Sequence, residues 1–388
     1  MEGALTHTVD VGSIPTDVVF HPSNEERIVA CGTIDGSLQV YRYGDEKDSF
    51  SSLVSTSLRS SEASKDRCSV NVDSCRGIAF AQGGDVICAA YSADHGIRVT
   101  DLGSEGKVIR TISHAHDSCI HRCLSVDGML WTGDDEGCVK VWDMRAGGDK
   151  AVASLEPHTD YVSDMVAHDD ALLTVSGDGT LCMIDRNVFK VRHRSEDDAD
   201  DELLSVCVIR QGRKVVCGTT SGVLNIYSWG YWNDCSDRFP GHPDSVTGMV
   251  AFDEETVLTG SSDGLIRVLS IQPNKMLGVL GEHSDFDIEK IALKGDAMCL
   301  ASISHDSSLK LWNTGLLLDD EEEEDDDNKV DKEEEEERSD SDSDDSDDGA
   351  RGKGKRTADE GRRNKGAHKI PKKESQKEPV SNFFADLL

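Results

Sequence analysis

Apolar residues in the first 318 positions fall in short runs that alternate with polar ones, the period of half-buried strands. One unit recurs seven times. It has an apolar run, then Gly, Ser or Thr, then an acidic residue and Gly, then an alternating run that ends on an aromatic or aliphatic side chain. The seven units are Ile28–Tyr41, Val86–Asp101, Leu130–Asp143, Leu172–Asp185, Val215–Tyr227, Val257–Ser270 and Leu300–Asn313. The turn glycines are Gly36, Gly96, Gly137, Gly179, Gly222 and Gly264, with Ser307 in the last unit. After a first step of 60 residues, the spacings are 41, 42, 43, 42 and 43. The extra length lies in residues 44–74, rich in Ser, Asp, Glu and Lys, and reads as a long polar loop.

A period of roughly 40–45 residues with four strands per unit predicts an all-β, seven-bladed β-propeller. One such sheet has two apolar faces and cannot bury both alone. A ring of seven buries them and leaves only short edges. Innermost strands are predicted at Thr16–Phe20, Gly77–Phe80, Ile120–Leu124, Val162–Val166, Leu203–Val208, Val246–Val250 and Ile288–Leu293. After Trp312-Asn313 the chain soon turns acidic, so the seventh blade lacks an outer strand. The alternating segment Leu5–Val11 is predicted to supply it and join the two ends of the ring. The propeller occupies residues 1–318.

Composition divides the chain further. Residues 1–318 hold 49 Asp or Glu and 27 Lys or Arg. Residues 319–348 hold 21 acids against 3 bases, and residues 349–379 hold 11 bases against 4 acids. Such tracts read as a disordered tail for partners rather than as a core. The start of the chain has neither a basic segment nor an apolar run, so no secretory signal is expected. No run of about 20 apolar residues occurs, so no membrane contact is expected. The 12 cysteines are scattered, with no Cys-x-x-Cys pair, and read as free thiols in a reducing compartment.

The Trp142-Asp143 pair is the dipeptide that names the WD repeat. Blade three offers His116, Thr132, Glu136 and Trp142. Blade seven offers His283, Ser302 or Ser304, Asp306 and Trp312. These fit the WD-repeat family's His–Ser/Thr–Asp–Trp hydrogen-bond chain, which satisfies buried polar groups inside one blade. A Ser–His–Asp catalytic triad is the competing reading. It loses because the same set recurs and no one nucleophile stands apart, so no enzyme is expected. Blade five lacks both the His and the acid, and is expected to rely on apolar packing. Cys119, His121 and Cys123 resemble metal ligands, but along a strand they span about 13 Å, too far for one zinc ion. Phosphate-cradling Gly-rich loops are absent, and no cofactor is expected. The segment Val141–Arg145 (VWDMR) ends a strand. Its Trp142-Asp143-x-Arg145 box resembles the docking box of WD-repeat substrate receptors for cullin-4 ubiquitin ligases. There an Arg enters a groove of the ligase adaptor, a contact suited to a planar guanidinium. The alternative is an ordinary strand end with a solvated Arg145.

Several stretches exceed a generic WD repeat. They are Ser74-Cys75-Arg76-Gly77-Ile78-Ala79-Phe80, Thr132-Gly133-Asp134-Asp135-Glu136-Gly137, Glu202-Leu203-Leu204-Ser205-Val206, Tyr227-Ser228-Trp229-Gly230, Cys235-Ser236-Asp237-Arg238-Phe239 and Phe383-Phe384-Ala385-Asp386-Leu387. With the acidic-then-basic tail, the chain resembles the WD repeat-containing protein 55 family, whose fungal counterpart is called Jip five. Plant-type members are most similar. The resemblance implies a nuclear and nucleolar protein that acts in ribosomal RNA maturation; pre-ribosomal factors are the expected partners, and a further cytoplasmic pool is left open. It would be a monomer within larger complexes. Plant members are linked to cullin-4 ligase adaptors, which agrees with the Arg145 argument. The 44–74 insertion and the long acidic run depart from the family, which puts any carried-over surface in blade one in doubt.

The acidic tract 319–348 reads as solubilising, or as a mimic of nucleic acid toward basic partners. Ser339 and Ser341 have acidic residues three positions on, which suits an acidophilic kinase; phosphates there would deepen the charge. The basic tract 349–382 includes Lys355, Arg356, Arg362, Arg363, Lys372 and Lys373. Two such clusters suit nuclear import and also weak contact with RNA phosphates. The terminal segment 383–388, with Phe383, Phe384 and Leu387, reads as a short motif for a partner pocket, or as a frayed end. Deleting residues 351–373 is expected to leave a fluorescent fusion in the cytoplasm; nuclear accumulation of the deleted form would contradict the import reading.

Overall fold

The computed structural model describes residues 4–44, 49–57, 73–104, 106–196 and 201–318. The tail residues named above, from Ser339 to Leu387, lie outside these. Strand β1 (Leu5–Asp10) opens the chain. Blade one holds β2 (Pro15–Phe20), β3 (Ile28–Thr33), β4 (Ser37–Arg42) and β5 (Ser51–Ser57). Blade two holds β6 (Cys75–Ala81), β7 (Val86–Tyr91), β8 (Gly96–Asp101) and β9 (Lys107–Ile112). Blade three holds β10 (Ile120–Val126), β11 (Met129–Asp134), β12 (Val139–Asp143) and β13 (Ala153–Leu155). Blade four holds β14 (Val162–His168), β15 (Ala171–Ser176), β16 (Leu181–Asp185) and β17 (Lys190–Arg194). Blade five holds β18 (Leu203–Ile209), β19 (Lys214–Thr219), β20 (Val223–Ser228) and β21 (Asp237–Pro240). Blade six holds β22 (Val246–Ala251), β23 (Thr256–Ser261), β24 (Leu265–Ser270) and β25 (Lys275–Glu282). Blade seven holds β26 (Ile288–Leu293), β27 (Cys299–Ser304) and β28 (Ser308–Asn313), with β1 as its outer strand.

The architecture is a seven-bladed propeller of antiparallel four-stranded sheets. The first of each four strands faces the central channel. The apolar side chains form seven clusters, one between each pair of neighbouring blades. Trp131, Val139 and Val141 of blade three, for instance, pack on Met165, Leu172 and Ile184 of blade four. The seventh cluster joins Ala301, Ile303 and Leu309 of the last blade to Val18, Val29 and Cys31 of the first. The ladder of β1 on β28 pairs His7 with Leu311 and Val9 with Leu309, so both ends of the propeller lie in one sheet.

Two readings change. The stretch 44–74 is not all loop: Ser51–Ser57 pairs with β4 as the outer strand of blade one. Its Ser and Thr residues hid this, because an edge strand needs few apolar side chains; Val54 is buried. The left-handed turn residue of blade two is His95 (φ 48°), not Gly96, and in blade seven Ser307 (φ 60°) takes that conformation. Elsewhere glycine is required. At Gly137 φ is 80°, and an added Cβ would lie 2.7 Å from the carbonyl oxygens of His158 and Asp160.

Removal of residues 1–11 takes the outer strand from blade seven and leaves the outer edge of β28 unpaired. The expected fall in melting temperature is roughly 10–20 °C for a loss of several kcal/mol in a domain this large. Circular dichroism checks it; a shift under a few degrees would show that β1 does not carry closure.

Candidate functional site

The polar chains inside the blades separate structural from exposed chemistry. In blade three His116 Nδ1 lies 2.7 Å from Asp134 Oδ2, and Nε2 lies 2.7 Å from Thr132 Oγ1. Trp142 Nε1 donates to the same hydroxyl at 2.9 Å. The acid is thus Asp134, not Glu136, which is exposed in the turn. The Asp134 carboxylate also receives the backbone N–H of Glu136 and Cys138, so it ends its strand and caps its turn at once. Blade seven repeats the arrangement: His283 Nδ1 to Asp306 Oδ2 at 3.0 Å, Nε2 to Ser302 Oγ at 2.6 Å, and Trp312 Nε1 to Ser302 Oγ at 2.7 Å. Ser304 instead donates to the carbonyl of Phe286.

Blade four carries His158 on Thr174 and Thr180, with Ile184 where blade three has Trp142. Blade six keeps His242 on Thr259, but Arg267 engages Asp263. In blade five the interior is aromatic: Trp229 and Trp232 meet edge to face, 5.0 Å apart, beside Tyr227. The His116, Thr132 and Asp134 set is buried within its blade, so it holds the fold and is closed to a substrate. Cys123 packs in the core between blades two and three, while His121 points to the channel, so these two do not converge on one ion.

The exposed chemistry gathers at the channel. Every innermost strand carries a register shift just after its first residue, a bulge that turns one side chain toward the axis. The bulged residues are Thr16, Arg76, His121, Ser163, Leu204, Thr247 and Glu289. On the side of the turn glycines, six of them line a cavity of about 430 Å³ at the channel mouth, and Thr16 lines the adjoining one. Some tie the blades together: Ser163 Oγ donates to Leu203 O, and Thr16 and Thr247 donate to the carbonyls of Cys75 and Ile288. The charged ones pair across the mouth. Arg76 Nη1 is 3.1 Å from His121 Nε2, which is 3.0 Å from Asp135 Oδ1; His305 Nε2 is 3.3 Å from Glu289. Burial works to raise the Glu289 pKa, but the His305 contact and the Arg122 field prevail and lower it. The Glu289 hydrogen bond in turn raises that of His305. Sequence reading missed this ring. The signal was present in the second residue of each inner strand, read as one column.

The opposite face carries Arg145. Its loop is anchored by Met144, which is buried and whose carbonyl accepts from Gln82 Nε2 at 3.1 Å. Asp143 Oδ1 receives the backbone N–H of Arg145 at 2.9 Å and its Nε at 3.2 Å, which hold the Asp143 carboxyl below its usual range. The Arg145 side chain is nonetheless 66% exposed. In blade four the corresponding loop places Arg186 on Asp127 at 2.5 Å, with only 16% exposure. Trp142 belongs to the buried chain of its blade, so only Arg145 and the edge of Asp143 are open to a partner.

The sequence matches the WDR55 family over residues 6–317. The chain belongs to that family. WD repeat-containing protein 55 of Arabidopsis thaliana is 40% identical, over 80% of this chain and 83% of the relative. The Dictyostelium discoideum homolog is 35% identical over 80% and 71%, and the Rattus norvegicus protein is 34% identical over 76% and 73%. Among solved structures, the WD40 β-propeller domain of Doa1 superposes with a TM-score of 0.65 at 15% identity, covering 81% of this chain and 98% of that one. A chain of the mitotic checkpoint complex gives 0.66 at 14% identity, covering 81% and 93%. These likenesses fix the fold, and the family places the chain among WD-repeat interaction scaffolds.

Burial lowers the pKa of His116, and takes His283 and His242 down to about 4. For His283 and His242 the unfolded chain binds the proton near pH 6.5 and the folded one only near 4, so the unfolded state is favoured as pH falls through that window. Each fully shifted histidine removes on the order of 2 kcal/mol by pH 5. Calorimetry is expected to show melting temperature falling from pH 7 to 5, with a shallower slope in His283→Gln. An unchanged slope would contradict a buried neutral His283.

Proposed function

We propose that this protein is a non-catalytic interaction scaffold of the nucleus and nucleolus that supports ribosome biogenesis through ribosomal RNA processing. One observation carries the scaffold part: the repeated His–Ser/Thr–Asp sets are consumed inside the blades, while the side chains open to partners sit in the channel mouth and on the Arg145 face. The nucleolar part rests on the family resemblance and on the basic clusters at Lys355-Arg356 and Arg362-Arg363. Pre-ribosomal factors are the partners this reading names, with RNA touched only weakly by the tail.

A second reading has its own support. Arg145 is held to Asp143 through Nε, yet its side chain is 66% exposed, against 16% for Arg186 of the next blade, so the end of its guanidinium is open to a groove. That favours docking to the adaptor of a cullin-4 ubiquitin ligase, with this chain as substrate receptor. The two readings share one experiment. Affinity purification from nuclei with mass spectrometry is expected to recover pre-ribosomal proteins with wild type and with Arg145→Ala alike. Adaptor and cullin recovered by wild type and lost in Arg145→Ala would establish the second role. Neither set recovered by wild type would overturn both.

A further inference from the structure

Three cavities line the ring axis, and Arg122 on β10 borders all of them. It stands where the channel mouth narrows into the lower channel, a cavity of about 700 Å³ walled by inner strands. Its Nε donates to the carbonyl of Ser163 at 2.5 Å, which fixes the stem beside the three cavities. Among the described residues no carboxylate lies within 4.0 Å of its two terminal nitrogens. The neighbouring acids are otherwise engaged. Asp17 holds Lys290 at 2.5 Å and the backbone N–H of Ile78 at 2.7 Å. Glu289 holds His305, and Asp135 holds His121. Asp164 is buried and accepts from Val206 N at 3.1 Å; burial raises its pKa against the opposing fields of Lys290 and Arg122. Arg76, 38% exposed, stands at the same mouth.

Arg122 feels Glu289 and Asp164 through space, but neither carboxylate pairs with it directly, so its fork is open to a further oxyanion. Its fork accepts two oxygens of a carboxylate or phosphate at once. Partial burial strengthens the attraction relative to open water. The rim restricts what can enter. Asp160, Glu202, Asp244 and Asp287 are exposed around the same end of the ring, with Glu202 taking the Tyr161 hydroxyl at 2.8 Å. They repel a polyanion and favour neutral or basic residues on either side of the entering group.

We propose that the turn-bearing mouth binds a single oxyanion on a partner peptide, with Arg122 as its ligand and Arg76 beside it. The oxyanion is a Glu or Asp carboxylate or a phosphorylated Ser or Thr, set between basic or uncharged residues. Nucleic acid and an acidic tract fit poorly, because the rim carboxylates oppose them.

Fluorescence anisotropy with the full chain and labelled peptides Gly-Lys-X-Lys-Gly tests this, with X as Glu, phosphoserine, Gln or Ser. Glu over Gln, or phosphoserine over Ser, is expected to bind about tenfold tighter, the gain of one charge-assisted contact. The larger ratio identifies the source of the oxyanion. Arg122→Gln is expected to abolish the preference, with folding checked by circular dichroism. Competition by inorganic phosphate against the wild type reads the same site without any substitution, and Arg76→Gln is expected to reduce the preference in part. Equal binding of all four peptides to the wild type, or a preference that survives in folded Arg122→Gln, would overturn the proposal. Tighter binding of a uridine oligonucleotide, displaced by the peptide, would overturn it in favour of nucleic acid.

Discussion

Closure of the ring is the constraint on which everything else depends. Each sheet has two apolar faces, and burial is worth roughly 25 cal/mol per Å² only where a neighbour covers the face. Seven sheets in a line would leave two faces open. The ladder between β1 and β28 removes that defect by placing the first and last strands in one sheet. The cluster of Val18, Val29, Ala301 and Leu309 then matches the other six. The end of the chain's ordered repeat is thus held by its beginning.

The blades are also registered by polar groups, which apolar packing cannot do alone. His116 and His283 each bridge a turn acid and a strand hydroxyl, tying the loop that enters a blade to the turn inside it. Hydroxyls at the strand starts reach to the next blade, as Ser163 and Ser205 do. The bulges that place them also aim Arg76, His121 and Glu289 at the axis. Fold and binding chemistry therefore share one device, and a change in the bulges would alter both.

Much of this was legible in the chain. The repeat period, the turn acids and the alternation of residues such as Leu38 and Val40 carry the propeller. What was missed has physical causes. Strand β5 is nearly all Ser and Thr, so it lacks the apolar signal. The left-handed residue of blade two is His95, because a polar residue can adopt that conformation at a modest cost, so the neighbouring Gly96 marks the turn one position late. Asp134 was overlooked for Glu136, since two acids two positions apart are equivalent until the turn geometry separates them. The channel mouth was invisible because its charges come from blades two, three and seven, far apart in sequence. Arg145 was legible as a motif, but its openness, against the pairing of Arg186, is a property of the folded loop.

The two ends of the ring thus differ in kind: a charged, walled mouth on one and an anchored Arg loop on the other. That one closed ring presents both is tested most directly by hydrogen exchange of the full chain, free and within complexes purified from nuclei. In the free protein, amides of β1 and β28 should exchange as slowly as those of the inner strands. In the complexes, added protection should fall on loops at the ends of the ring and spare the strands. Fast exchange of β1, or no added protection anywhere on the propeller, would contradict the picture of a closed interaction scaffold.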